Sequence, residues 1–433
     1  MANCLKRIIN AEDNDIIITW GGRYREVEQS ILGINNTNIY GVSGEASFYH
    51  NAGHSDNPGL YIFGQVLHKL FDLNSLEIIK TFSILVYSLG FIFFLIGILL
   101  TVKSNKGRIL GILSIVFLTL IVINIPSLWV VPYLATSLLL ILVYIIDNLK
   151  VFKYKLLIVF IAGLIFGLLD LTRPHASTAV VLFLVLYILF LNKNFIKKFL
   201  IIVSLLLGIV FTNIFWNQTI NEPRNEFLLK HNPSVVIQNK HPFWHSIYIG
   251  LGYISNPSVP EYRDEVGFKK VASIKEGVSI CSIKYENILK KETILFISEN
   301  TRFFIYQLLI KVVVASILLL VFMTPFALYS LLHKISLKAS IPFFIAVAFT
   351  YLPGVLVVPY TYYLVGLLSM GSVMFIFYSE KYLSIVENED KYKYSSSIYF
   401  YGALLYLFFC IFYLQKTIID SGYIKMLLIN LLK

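Results

Sequence analysis

Long apolar blocks free of charge alternate along this chain with short connectors that carry lysine; Ser83–Val102 and Phe199–Trp216 are two of the blocks. Roughly 18 or more apolar residues, coiled as a helix, match the hydrocarbon thickness of a bilayer. The pattern predicts an all-α polytopic membrane protein with about ten transmembrane helices, near 79–102, 107–125, 127–146, 156–172, 175–191, 199–216, 303–331, 341–358, 360–378 and 396–414. Two polar stretches interrupt it. The chain therefore divides into 1–78, helices one to six over 79–216, a loop or cap over 217–302, and helices seven to ten with a C-terminal tail over 303–433.

Composition agrees. Of 433 residues 57% are hydrophobic and 14% charged, with a mean hydropathy of +0.74, whereas a soluble chain carries about a quarter charged residues. The net charge of +11 is no nucleic-acid signal, because the lysines sit in short inter-helix connectors: Lys103 and Lys106, Lys150 and Lys153, Lys197 and Lys198, Lys334 and Lys338, Lys391 and Lys393. The intervening connectors, around Pro126, Arg173 and Pro359, are nearly free of lysine. The positive-inside rule puts the lysine-rich set in the cytoplasm and 1–78, 217–302 and the Thr172–His175 corner outside. A polar outer N-terminal segment with no span before it implies a helix preceding Met1, or an internal start at Met1; the first is favoured. Cys4, Cys281 and Cys410 form no metal or redox motif. The lysine, asparagine and isoleucine bias points to a bacterium with an AT-rich genome, and so to the bacterial cytoplasmic (inner) membrane.

Candidate chemistry concentrates outside. The first segment holds Gly22–Arg23–Tyr24–Arg25–Glu26 and, later, Glu45, His54, Asp56 and Tyr61 among glycine, proline and asparagine. Partial burial beside apolar surface would bring such carboxyl and imidazole groups into acid–base range; otherwise they cap turns. In the second segment Trp244, His245 and Tyr248 offer ring faces for a sugar or for the headgroup region, while Asp264 and Glu265 read as solvated. At the Leu171–Thr172–Arg173–Pro174–His175 corner, Pro174 suits the first turn of the next helix. Arg173 there either binds phosphate through charge-assisted hydrogen bonds or snorkels to headgroups, and Asp170 is a structural counter-ion for it. Lys311 lies about two turns inside its helix, a depth at which charges face a cavity or a partner.

There is no Walker-type loop, dinucleotide fingerprint or cytoplasmic domain able to bind a nucleotide, and no paired broken-helix repeat of a transporter. The pieces Gly22–Arg23–Tyr24–Arg25–Glu26–Val27–Glu28, Asn57–Pro58–Gly59–Leu60–Tyr61, the Leu-Thr-Arg-Pro corner and the tyrosine-rich helix start Pro359–Tyr363, in this order, resemble the GT-C fold of lipid-phosphate-dependent glycosyltransferases, especially the protein O-mannosyltransferase and lipid A aminoarabinose transferase group. The resemblance implies a first outer segment with interfacial helices and an outer-face site of the cell envelope. It also implies a polyprenyl-phosphate sugar donor, and a glycan, lipid or protein acceptor, with inversion at the anomeric carbon. Glu45, Asp56 or Glu26 would be the catalytic carboxylate. Arg173, His54, His175 and Lys311 would hold the donor phosphate, and Trp244, His245, Tyr248 and Tyr61 the acceptor or sugar. A divalent cation on the carboxylates is compatible with this set, but no ligand spacing compels one. The chain departs from the group at its acidic pair, which falls on Trp20 and Gly21. The rival expectation is a lipid-carrier binder or translocator that performs no chemistry.

Overall fold

The computed structural model describes residues 20–46, 48–55, 57–125, 128–191, 194–232, 242–280, 282–334, 337–387 and 393–414. Asp56 and the side chain of His54 lie outside the described residues. The first polar segment folds as α1 (Gly22–Thr37), a two-residue hairpin β1 (Val42–Ser43) and β2 (His50–Asn51), and α2 (Pro58–Phe71). Its hub is the buried side chain of Gln65 on α2, which donates to the carbonyls of Ser30 and Val42 and accepts from the Gly41 amide. One amide thus ties α1, the turn at Gly41 and β1 together.

The membrane region follows as α3 (Ser75–Thr101), α4 (Asn105–Ile123), α5 (Val131–Ser137) with α6 (Leu139–Asn148), α7 (Phe152–Thr172), α8 (Thr178–Phe190) and α9 (Phe195–Trp216). Beyond the second polar segment come α14 (Thr301–Lys334), α15 (Leu337–Leu356), α16 (Val365–Glu387) and α17 (Lys393–Phe409). Among the described residues seven helices are long and apolar enough to cross a membrane, with α8 and part of α15 as shorter apolar helices. The protein is an all-α polytopic membrane architecture. Helix α16 is less apolar because it is central: Ser369, Ser372 and Ser379 are buried against protein rather than lipid.

Within lipid, apolar tails give no hydrophobic drive for helix association, so close backbone approach has to hold helices together. Helices α7 and α9 use glycine for this. A Cβ on Gly163 would run into the Leu205 carbonyl, and one on Gly208 into the Phe160 carbonyl. Ser204 and Thr212 of α9 then donate to the α7 carbonyls of Leu156 and Leu164 at 2.7 and 3.2 Å.

Three boundaries differ from expectation, and one long helix is kinked. Helix α9 does not end in a loop at 217; it runs on through a π turn, Asn217–Asn221, into α10 (Glu222–His231), where Arg224 is buried against the first polar segment at Gly41. Pro174 does not start the next helix: His175 adopts φ +65°, and α8 begins at Thr178. The tyrosines after Pro359 form turns closed by Tyr363 N–H to the Tyr360 carbonyl and Leu364 N–H to the Thr361 carbonyl, so α16 starts at Val365. Helix α14 is kinked at Thr324 (φ 61°, ψ 151°), before Pro325.

The remainder of 217–302 forms a small cap of α11 (Phe243–Gly250), α12 (Asp264–Ile274) and α13 (Ile283–Glu299). It has its own modest core, including Tyr248, Leu251, Val259, Val271, Tyr285 and Leu289. At the opposite end of the bundle the connector from Lys103 to Lys106 is tied down. The Glu380 carboxylate of α16 accepts from the Lys103 and Ser104 amides and the Ser104 hydroxyl, and Lys106 reaches Ser396 on α17 at 3.0 Å.

Leucine at Gly163 or Gly208 is expected to push α7 and α9 apart and cost about 1–3 kcal/mol, the usual cost of overpacking. Thermal unfolding in lipid nanodiscs should show a clear drop in Tm, whereas leucine at exposed Val210, on another face of α9, should leave it unchanged.

Candidate functional site

At the end of the bundle remote from the lysine connectors, a cavity of about 1490 Å³ opens under the cap. Helix α1 supplies its first polar wall. Arg23 and Glu26, three residues apart, share one face of α1 and line the cavity together with Trp20, which precedes the helix across Gly21 (φ +47°). Further along the same face, in the stripe that continues from Arg23, Val27, Ser30 and Ile34 are buried.

Glu26 is held by the hairpin. Its Oε1 accepts from the Gly53 amide at 2.9 Å and lies 3.3 Å from His50 Nε2. Gly53 has φ +66° and sits against the Tyr61 ring, leaving no room for a Cβ. Burial lowers the His50 pKa, but the hydrogen bond to Glu26, the Glu26 charge and the Phe48 backbone outweigh it, and the imidazole ends above its ordinary 6.5.

The corner after α7 supplies the second wall. Gly59 of α2 packs directly on Thr172, a contact a Cβ would close to 2.6 Å from the Thr172 hydroxyl. The Asn57–Tyr61 and Leu171–Pro174 pieces are therefore one joint. Arg173 Nη1 donates to Asn57 Oδ1 at 3.4 Å, and the guanidinium lies over the Trp129 ring, 3.4 Å from its centroid. Asp170 does not serve as counter-ion to Arg173. Its carboxylate accepts from the Ser177 amide and hydroxyl, both at 2.8 Å, and so clasps the turn that leads into α8.

Tyr363 joins the walls. Its ring is 3.9 Å from Trp129 and 4.7 Å from Tyr362, and its hydroxyl bonds to that of Tyr262 on the cap. Burial raises the Tyr363 pKa, while the charges of Arg173 and Arg23 oppose the shift. Below this ring the cavity becomes apolar, walled by Pro132 of α5, Ala179 of α8 and Phe349, Leu352 and Leu356 of α15.

The cap supplies the last wall, through Asp264 and His245. His245 Nδ1 meets the Tyr285 hydroxyl at 2.6 Å, Nε2 meets Asp264 Oδ1 at 3.1 Å, and the ring stacks on Phe268. Glu286 fixes the start of α11 by accepting from the Trp244 and His245 amides, a negative charge at a helix N-terminus.

Several expected site residues lie elsewhere. Glu45 is exposed in the hairpin turn and does not line the cavity. Lys311 is buried and donates to the Gly250 carbonyl at 2.9 Å, beside Gln307; it caps the end of α11, where the helix dipole favours a cation. Tyr248 belongs to the cap core, and Trp244 sits under Lys290 rather than in the cavity. Glu26, Arg173, His175, His245 and Tyr61 do line it. Arg23, His50, Trp129, Tyr262 and Asp264 were not among the expected site residues. Arg23 had a signal, its i,i+3 spacing to Glu26. The others depend on contacts between distant segments. Among the described residues no three His, Cys, Asp or Glu side chains could together hold a metal ion.

Compared with protein-family models, curated proteins and solved structures, the chain matches none.

With Glu26 ionised beside it, His50 should titrate with a midpoint above 6.5, read from its ring-proton shifts. In Glu26→Gln only burial remains dominant, and the midpoint should fall below that value. Because the folded pKa is the raised one, the pair stabilises the fold fully below the unfolded pKa. That stability fades as pH rises through the folded midpoint, and His50→Gln should cost most at acid pH.

Proposed function

We propose that this protein is a membrane glycosyltransferase that moves a sugar from a polyprenyl-phosphate carrier to an acceptor at the extracytoplasmic face of a bacterial cytoplasmic membrane. One observation carries the reading: a single cavity joins two arginines and a held carboxylate to an apolar wall made by membrane helices. An isoprenoid phosphate sugar is an amphiphile of that form, with its chain against α8 and α15 and its phosphate at Arg173 and Arg23. Counting α8, α15 and α16 as spans gives ten, and the lysine-rich connectors then face the cytoplasm. The GT-C resemblance of the motif pieces points the same way.

In the reaction the acceptor hydroxyl oxygen attacks the anomeric carbon, the bond from that carbon to the phosphate oxygen breaks, and configuration inverts. Glu26 takes the hydroxyl proton. Polyprenyl phosphate leaves with the bonding pair, and its growing charge is stabilised by the guanidinium groups. Stacking on Trp129 holds Arg173 in one plane before substrate arrives, so little rotamer freedom is lost on binding. A second reading, carrier binding without chemistry, is favoured by one feature. Trp20 stands on the cavity wall where the resembling family has an acid.

A labelled polyprenyl-phosphate sugar separates the two, since release of lipid phosphate requires turnover. Arg173→Ala should abolish release and weaken donor binding about 10- to 100-fold, the worth of a charge-assisted hydrogen bond or more. Glu26→Gln should keep donor binding and lose release. Full activity in either variant ends the assignment, and tight binding without release in the wild type favours the second reading.

A further inference from the structure

We propose that the cap holds a sugar-binding subsite, in which Asp264, oriented by His245 and flanked by Tyr262, Tyr362 and Phe268, receives a glycan acceptor. Calling this ligand the acceptor rests on the transferase reading; the subsite itself rests on geometry. Asp264 lines the cavity, and its side chain is 66% exposed although His245 fixes one of its oxygens. His245 cannot turn away, because Tyr285 holds its other nitrogen and Phe268 its ring face. His245 is thus a positioning residue. The carboxylate presents its remaining lone pairs to the cavity, beside the rings of Tyr262 and Tyr362.

A carboxylate among aromatic rings selects its ligand by exclusion. A phosphate would be repelled by the carboxylate, which favours the arginines as the place of the donor headgroup. A peptide is captured best by an open strand edge or a helix groove, and among the described residues the only sheet is the hairpin of β1 and β2, outside the cap. A pyranose suits the site: adjacent hydroxyls donate to the carboxylate, and the C–H face of the ring covers an aromatic face. The hydrogen bond between Tyr262 and Tyr363 links this subsite to the Trp129–Arg173 stack. The two ligands would then meet across one phenol pair.

The test uses the full chain in lipid nanodiscs with four tetrasaccharides (chitotetraose, maltotetraose, cellotetraose and mannotetraose), a serine-containing hexapeptide and farnesyl phosphate. Saturation-transfer NMR should show ring-proton contacts for at least one tetrasaccharide. Asp264→Asn should weaken that binding about 10- to 100-fold, Tyr362→Leu should weaken it too, and Glu45→Gln should leave it unchanged. Farnesyl phosphate binding should survive Asp264→Asn and weaken about 10- to 100-fold in Arg173→Ala. If only that last effect fails, the donor reading falls and the glycan subsite stands. No signal from any tetrasaccharide, a signal indifferent to both cap variants, or an Asp264-dependent signal from the peptide instead would overturn the proposal.

Discussion

A peptide group in the bilayer interior has no water to bond, so every backbone N–H and C=O there has to find its partner within the protein. That constraint decides where this chain can be irregular. Asn38, Asp72 and His175, with φ above zero, and Gly41, Gly44 and Gly53 all lie in the segments at the cavity end of the bundle. The exception within a long apolar helix, Thr324, keeps its break local, with its own hydroxyl accepting from the Ala327 amide at 3.4 Å. The cavity sits where helices end because only there can the chain turn, cap and present side chains in several directions.

The polar groups at that end are organised by packing rather than by ion pairing alone. Arg173 is placed by a helix terminus, an asparagine and an indole face, and Glu26 by a backbone amide and an imidazole. Such contacts orient each charged group before a ligand arrives. Lys311 is the contrasting case. It sits deeper, yet its ammonium is spent on the C-terminal end of a cap helix, together with Gln307. Depth in the membrane marked it as unusual. Only its neighbours show that its work is to hold the cap down on α14.

The same contrast explains what could be read from residues in order. Gly163 and Gly208 lie in apolar runs, and their importance appears only when the facing carbonyls of Leu205 and Phe160 are in place. Pro174 was a fair helix-start signal, overridden because Asp170 captures Ser177 and moves the start of α8 downstream. The tyrosines at 360, 362 and 363 read as the first turn of a helix. They form a turn instead, because their rings pack against Trp129 and Tyr262 from two other segments.

Hydrophobic period and block length alone determined the class, most helix positions and the two polar segments, because each depends on local transfer free energy summed over one stretch of chain. The alternation of lysine gave each connector its end of the bundle for the same local reason. The tertiary structure decided which polar residues meet. Glu26 rather than Glu45 faces the cavity, Asp264 faces it from the cap with His245, and Trp129 lies under Arg173. These pairings join residues 19 to 44 positions apart, and such contacts are fixed by how helices pack, a property carried by no single segment.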